Sequence, residues 1–195
     1  MSRVICPNCG QLTASAREIS GYQYRESGLD NVWLIGGVTK TQCTNCAMGS
    51  IRITREPQLL QVIALDLLMR PGPRTGPELR FLRRACGLSQ AELASLLKSR
   101  RRETIAEREG KKTTGLNFAE EIGLRWVLVQ AFHDYVTRSG NSALEGRDLE
   151  KLWSFAVLFR DFAAKTTMDR QRTERITARV RQNAWTVETK RSQAA

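Results

Sequence analysis

A chain of 195 residues has room for one domain or two small ones and is too short for a large multidomain enzyme. Its 31 Lys and Arg against 20 Asp and Glu leave a net charge of +11, a balance that favours polyanionic partners. With 41% hydrophobic and 26% charged residues it resembles neither a collagen-like nor a disordered chain. No apolar run approaches the ~18 residues of a membrane span, so no membrane partner is expected. The start, Met-Ser-Arg-Val-Ile-Cys, lacks the apolar core of a secretory signal. The expectation is a cytoplasmic protein with reduced thiols, in which paired cysteines read as metal ligands before disulfides.

Residues 1–57 carry glycines, Tyr22, Tyr24 and the stretches Val32-Trp33-Leu34-Ile35 and Ile51-Arg52-Ile53-Thr54, which suit short strands and turns. Two C-x-x-C knuckles, Cys6-Pro7-Asn8-Cys9 and Cys43-Thr44-Asn45-Cys46, stand 33 residues apart in this segment. Each can present two thiolates from a tight turn, and four soft ligands suit one tetrahedral structural zinc ion per chain. The strand-like sequence between them is what a zinc ribbon needs to bring its knuckles together. The alternative is two redox or unliganded pairs, although a redox C-x-x-C would sit at a helix start in a βαβ context. A catalytic zinc would keep an open position, which the fourth cysteine closes. His133 reads as a surface or half-buried helical residue and Cys86 as core packing.

After Pro57 the apolar spacing of Leu59, Val62, Ile63, Leu65, Leu67 and Leu68 predicts a connecting helix to Arg70, and Pro71 to Pro77 a linker. Beyond it the pattern predicts helices over 77–86, 89–97, 101–109, 117–137, 146–165 and 167–182. Basic residues outnumber acidic ones 12 to 6 over 58–115 and 7 to 3 over 166–195, so the positive charge gathers in the middle and the tail. Between Pro77 and Gly110 three short helices follow one another. Pro77 suits a first helical position, Gly87 ends that helix, and Ser89-Gln90-Ala91-Glu92 forms a capping box that opens the next. The third has a single strong apolar anchor, Ile105. A helix so short and polar must lie on the other two with its polar face outward. In a helix-turn-helix that face enters the major groove, with Lys98, Arg100, Arg101 and Arg102 at the turn and first helical residues, within reach of phosphates and base edges.

Gly-Leu-Ser-Gln-Ala-Glu-Leu-Ala followed by Glu-Thr-Ile-Ala resembles the phage-repressor type of helix-turn-helix. Together with the preceding C-P-x-C-G…C-x-x-C ribbon and Tyr22-Gln23-Tyr24-Arg25, residues 4–115 resemble the MqsA family of antitoxins and autoregulators. The resemblance implies a zinc domain that contacts a partner, in true antitoxins the toxin, and a dimeric domain that binds a palindromic operator. Two details depart from the family pattern: the turn before Ile105 is one residue longer, and the usual Glu-x-Gly ending shortens to Glu109-Gly110. The family's base-reading Asn and Arg then fall on Glu103 and Glu107, leaving Arg101 and Arg102 as the substitutes.

The sequence therefore predicts a mainly α protein: a small N-terminal β zinc ribbon (1–57), a connecting helix and Pro/Gly linker (58–76), an all-helical helix-turn-helix domain (77–137), a C-terminal helical extension (138–182) and a tail (183–195). Ser89, Gln90, Lys98, Ser99, Arg100, Arg101, Arg102, Glu103, Thr104, Lys111 and Lys112 are the candidate DNA contacts, and Cys6, Cys9, Cys43 and Cys46 the zinc ligands. Leu149, Leu152, Trp153, Ala156, Val157, Phe159, Phe162 and Ala163 are apolar nearly all round their helix and must be buried, against 117–137 or across a homodimer. The expected function is sequence-specific transcriptional regulation, as an autorepressor of antitoxin type. Alternatives are a protein-binding module that neutralises a toxin and a stand-alone zinc-ribbon regulator. With one histidine and no poised nucleophile, no catalytic constellation is visible and no enzyme is predicted.

Overall fold

The computed structural model describes residues 4–6, 8–13, 15–70, 74–98, 101–112, 114–139, 175–181 and 184–189. A two-stranded antiparallel hairpin, β1 (Val4–Ile5) and β2 (Leu12–Thr13), carries the first knuckle. It is followed by β3 (Ser15–Gln23), β4 (Val32–Gln42) and β5 (Gly49–Ile53), then α1 (Glu56–Met69), α2 (Gly76–Ala85), α3 (Gln90–Leu96), α4 (Arg102–Glu109) and α5 (Phe118–Ser139). Two further strands, β6 (Ile176–Arg181) and β7 (Ala184–Thr189), close the described chain.

These last strands overturn the expected fold class. The protein is not mainly helical with an all-helical second half, because β3 to β7 build one five-stranded mixed sheet in the order β3-β4-β6-β7, with β5 also on β4. The end of the helix expected over 167–182 and part of the expected tail are strands of that sheet. Ile176, Ala178 and Val180 alternate with Thr177, Arg179 and Arg181, a period of two, and the apolar set packs inward. The arginines imitate the polar side of a helix. The helix expected over 146–165, and with it Trp153 and Phe159, lies outside the described residues.

The long strand β4 organises the sheet. One edge pairs with β3; on the other, Val38–Gln42 pairs antiparallel with β5 while Val32–Ile35 pairs in parallel with β6. Between the two halves Gly36 and Gly37 take left-handed backbone conformations (φ 76° and 67°) and form a bulge where the β3 register shifts. A Cβ on Gly37 would stand 2.6 Å from Val180 and 3.0 Å from the Trp185 ring. The bulge thus admits the indole of β7, whose Nε1 donates to the Thr54 carbonyl at 2.6 Å. Trp185→Phe keeps the ring apolar but strands that carbonyl, and should lower stability by about 1–3 kcal/mol in urea unfolding.

Helix α1 is apolar nearly all round, and its surroundings explain why. Leu59, Ile63, Ala64, Leu67 and Leu68 join Val32, Leu34, Ile176 and Trp185 of the sheet and Leu82, Leu128 and Phe132 of the helices in one hydrophobic core. The helix touches β6 and β7 as well as α2 and α5. Its C-terminal carbonyls are capped by two buried guanidinium groups: Arg125 donates to Arg70 O at 2.6 Å and Arg74 to Leu68 O at 3.3 Å. Both arginines face the Glu121 carboxylate, at 3.3 and 3.8 Å. At the sheet end the Tyr24 hydroxyl donates to Glu56 at the start of α1, and burial, reinforced by that bond, pushes the phenol well above its ordinary range.

Candidate functional site

Two sites stand out among the described residues. The first is built by hairpins: Cys6 and Cys9 lie between β1 and β2, and Cys43 and Cys46 between β4 and β5. Backbone bonds from Cys6 N to Gln11 O (2.8 Å) and Cys43 N to Met48 O (2.9 Å) close each knuckle. The four Sγ atoms lie within 4.8 Å of one another, with Cys6–Cys46 at 3.7 Å and Cys9–Cys43 at 3.5 Å, so this cluster could hold a metal ion. The Asn8 side chain and a backbone contact from Met48 hold the Cys46 thiol down, to about 6. A backbone contact from Gln11 and the Asn45 side chain also lower Cys9. These two shifts favour the thiolate, the form that ligates metal, whereas at Cys43 a backbone contact from Cys46 is outweighed by burial and by the neighbouring thiols, which push it up to about 11. Cys86 stands apart: it is buried between α2 and α5, its thiol donates to Leu128 O at 3.5 Å, and burial raises it to about 12. His133 is half-buried on α5, beside Asp134 at 3.7 Å.

The second site is the three-helix arrangement of α2, α3 and α4. Thr75 and Ser89 open α2 and α3 with complete capping boxes to Glu78 and Glu92. Leu93 and Ala94 of α3 and Ile105 of α4 are buried. At the far end of α4, Glu109 is 2% exposed and accepts from Arg83 Nε at 2.5 Å, Arg83 Nη2 at 3.2 Å and Gln90 Nε2 at 2.9 Å. One carboxylate therefore ties all three helices together. Gly76 completes the seat: a Cβ there would come within 2.3 Å of Lys111 O and 2.5 Å of Arg108 O, so α2 and the end of α4 approach backbone to backbone.

The candidate contacts divide by orientation. Arg101, Arg102, Glu103, Lys111 and Lys112 are exposed, Thr104 is half-buried, and Lys111 is paired with Glu107. Lys98 is exposed in a left-handed conformation (φ 52°) just after α3. Ser99 and Arg100 lie outside the described residues. Ser89 is occupied as a cap, and Gln90 is turned toward Glu109. Arg84 and Arg102 nonetheless line, with Arg83, Ser89, Gln90 and Ala91, an open polar recess between the ends of α2, α3 and α4. Arg83, Arg84 and Glu109 were missed as members of this region. The signal for Arg83 was present: it occupies a place in the apolar stripe Leu79, Leu82, Cys86, where a charge needs a buried partner.

No protein-family model, curated protein or solved structure matches the chain. Among the described residues no helix is long and apolar enough to cross a membrane.

Proposed function

We propose that this protein is a sequence-specific DNA-binding transcriptional regulator, an autorepressor of the antitoxin type that binds an inverted-repeat operator as a homodimer. The observation that carries the reading is the way α4 is held. Ile105 and Glu109 are locked inward, while Arg101, Arg102, Glu103, Ala106 and Glu107 face solvent in one surface beside the Arg84–Arg102 recess. A short polar helix pinned by Ile105 and the buried Arg83–Glu109 pair, with Arg101, Arg102 and Glu103 exposed, suits insertion into a major groove. Arg101 and Arg102 stand at its start, where a bidentate guanine contact is feasible. The four cysteines hold one zinc ion; four thiolates leave no open position, so its role is structural.

Titrations against a selected operator and a scrambled duplex at several salt concentrations test this. Arg101→Ala or Arg102→Ala should cost about 1–3 kcal/mol, chiefly on the operator. Lys98→Ala or Lys111→Ala should weaken both duplexes alike and reduce the log–log salt slope by about one. Equal losses on both duplexes for Arg101→Ala and Arg102→Ala would refute base reading by the start of α4.

A second reading, neutralisation of a toxin protein, is favoured by the apolar side chains near the cysteine cluster. Ile5 (65% exposed) and Leu12 (52%) are paired across the hairpin of the first knuckle, and Met48 (47%) follows the second. Exposed apolar residues so placed suit a protein partner. Co-purification with the product of an adjoining gene, lost in Ile5→Asp and Leu12→Asp, would support it.

A further inference from the structure

The sheet sets the arginines of the C-terminal strands in a regular order. On β6, Ile176, Ala178 and Val180 face the core, so residues of opposite parity share the other face. Arg175, just before β6, lies with its Cζ 4.3 Å from the centroid of the Trp33 ring. Trp33 is the register partner of Thr177, and Ile35 that of Arg179. Further along the same face, Arg179 Nε and Arg181 Nη2 lie 3.3 and 3.2 Å from the two oxygens of Glu188 on β7. Three guanidinium groups thus form a row on one sheet face, and one carboxylate offsets one of them.

We infer that this face is a second nucleic-acid contact, in which Arg175, Arg179 and Arg181 grip the phosphate backbone of duplex DNA flanking the sequence that α4 reads. The chemistry of the row supports a phosphodiester backbone. A guanidinium stacked on an indole keeps its N–H groups directed outward from its edge, where they match two phosphate oxygens. Same-face residues on a strand recur about every 6.6 Å, so the three groups can engage separate phosphates instead of competing for one. Glu188 spaces and orients two of the arginines, and it also limits the affinity, since a phosphate must compete with it. Arg170 and Arg172 of the same basic run lie outside the described residues.

The proposal rests on the DNA-binding reading, and its test separates the two. The full-length protein is titrated with a random-sequence duplex of about 40 base pairs over a range of salt. Joint replacement Arg175→Gln, Arg179→Gln and Arg181→Gln should weaken binding about tenfold and lower the magnitude of the salt slope by about two to three. Glu188→Gln should act in the opposite direction and tighten binding, an effect that no merely structural role of the ion pairs produces. Affinity and slope unchanged in the triple variant, or weaker binding in Glu188→Gln, would overturn the assignment while leaving α4 untouched. Loss of affinity for single-stranded RNA alone, with duplex binding intact, would also overturn it. If the unaltered protein binds no duplex, the whole DNA-binding reading falls.

Discussion

Glu109→Ala is expected to destabilise the protein by about 3–5 kcal/mol, because it leaves Arg83 charged and buried without its partner. Arg83 and Glu109 are 8% and 2% exposed, and Gln90 would lose its acceptor as well. A shift of the urea midpoint with an unchanged slope is the measurement. A loss below about 1 kcal/mol would mean that the three helices hold together through Leu93, Ile105 and their neighbours alone. Glu109→Gln should cost less, since an amide oxygen still accepts from Arg83 but carries no charge. Acid supplies an independent check. Burial pushes the Glu109 carboxyl up, but the bonds from Arg83 and Gln90 and the charges of Arg83 and Arg80 outweigh it, so it titrates below its ordinary 4.5. A carboxyl depressed in the folded state contributes stability above its unfolded value and loses it as pH falls through the folded one. The gap between the parent protein and Glu109→Gln should therefore be full at neutral pH and close on acidification below about 4.5.

Cys6→Ser or Cys43→Ser is expected to lower the bound metal from about one ion per chain to well under one, and to unfold the hairpin ends but not the rest. Strands β1 and β2 are two residues long each, too short to hold together by their own pairing. The remainder does not depend on the ion in the same way, because Val32, Leu34, Val38, Ile176 and Trp185 are buried in a core shared with α1. Metal analysis and hydrogen exchange together decide: amides of 4–13 and 43–49 should exchange freely, while those of 32–35 and 59–68 stay protected. Global unfolding would show that the metal supports the whole sheet, and an unchanged metal content would dismiss the cluster as the site. Since thiolates bind metal and thiols do not, the ion should also leave as pH falls.

Much of this molecule was legible in its amino-acid order. The four cysteines, their spacing and the hairpins around them follow from C-x-x-C turns joined by strand-like sequence. The five helices from α1 to α5 follow from apolar spacing, from Pro and Gly at their ends, and from the capping box at Ser89. All of these rest on interactions among residues a few positions apart, which sequence displays directly. The partners of β6 were not legible. Its parallel pairing with β4 joins Val32 to Ile176 across the entire helical segment, and nothing local announces such a partner. The same holds for Arg83 and Glu109, whose pairing needs α2 and α4 to cross, and for Arg74 and Arg125, which cap α1 from two different stretches of chain. Spacing alone also assigned Arg179 and Arg181 to a helix. Their placement on a sheet face was decided by which side chains the core had room to bury, and Trp185 reaches the bulge at Gly36-Gly37 only once two stretches far apart in the chain have met.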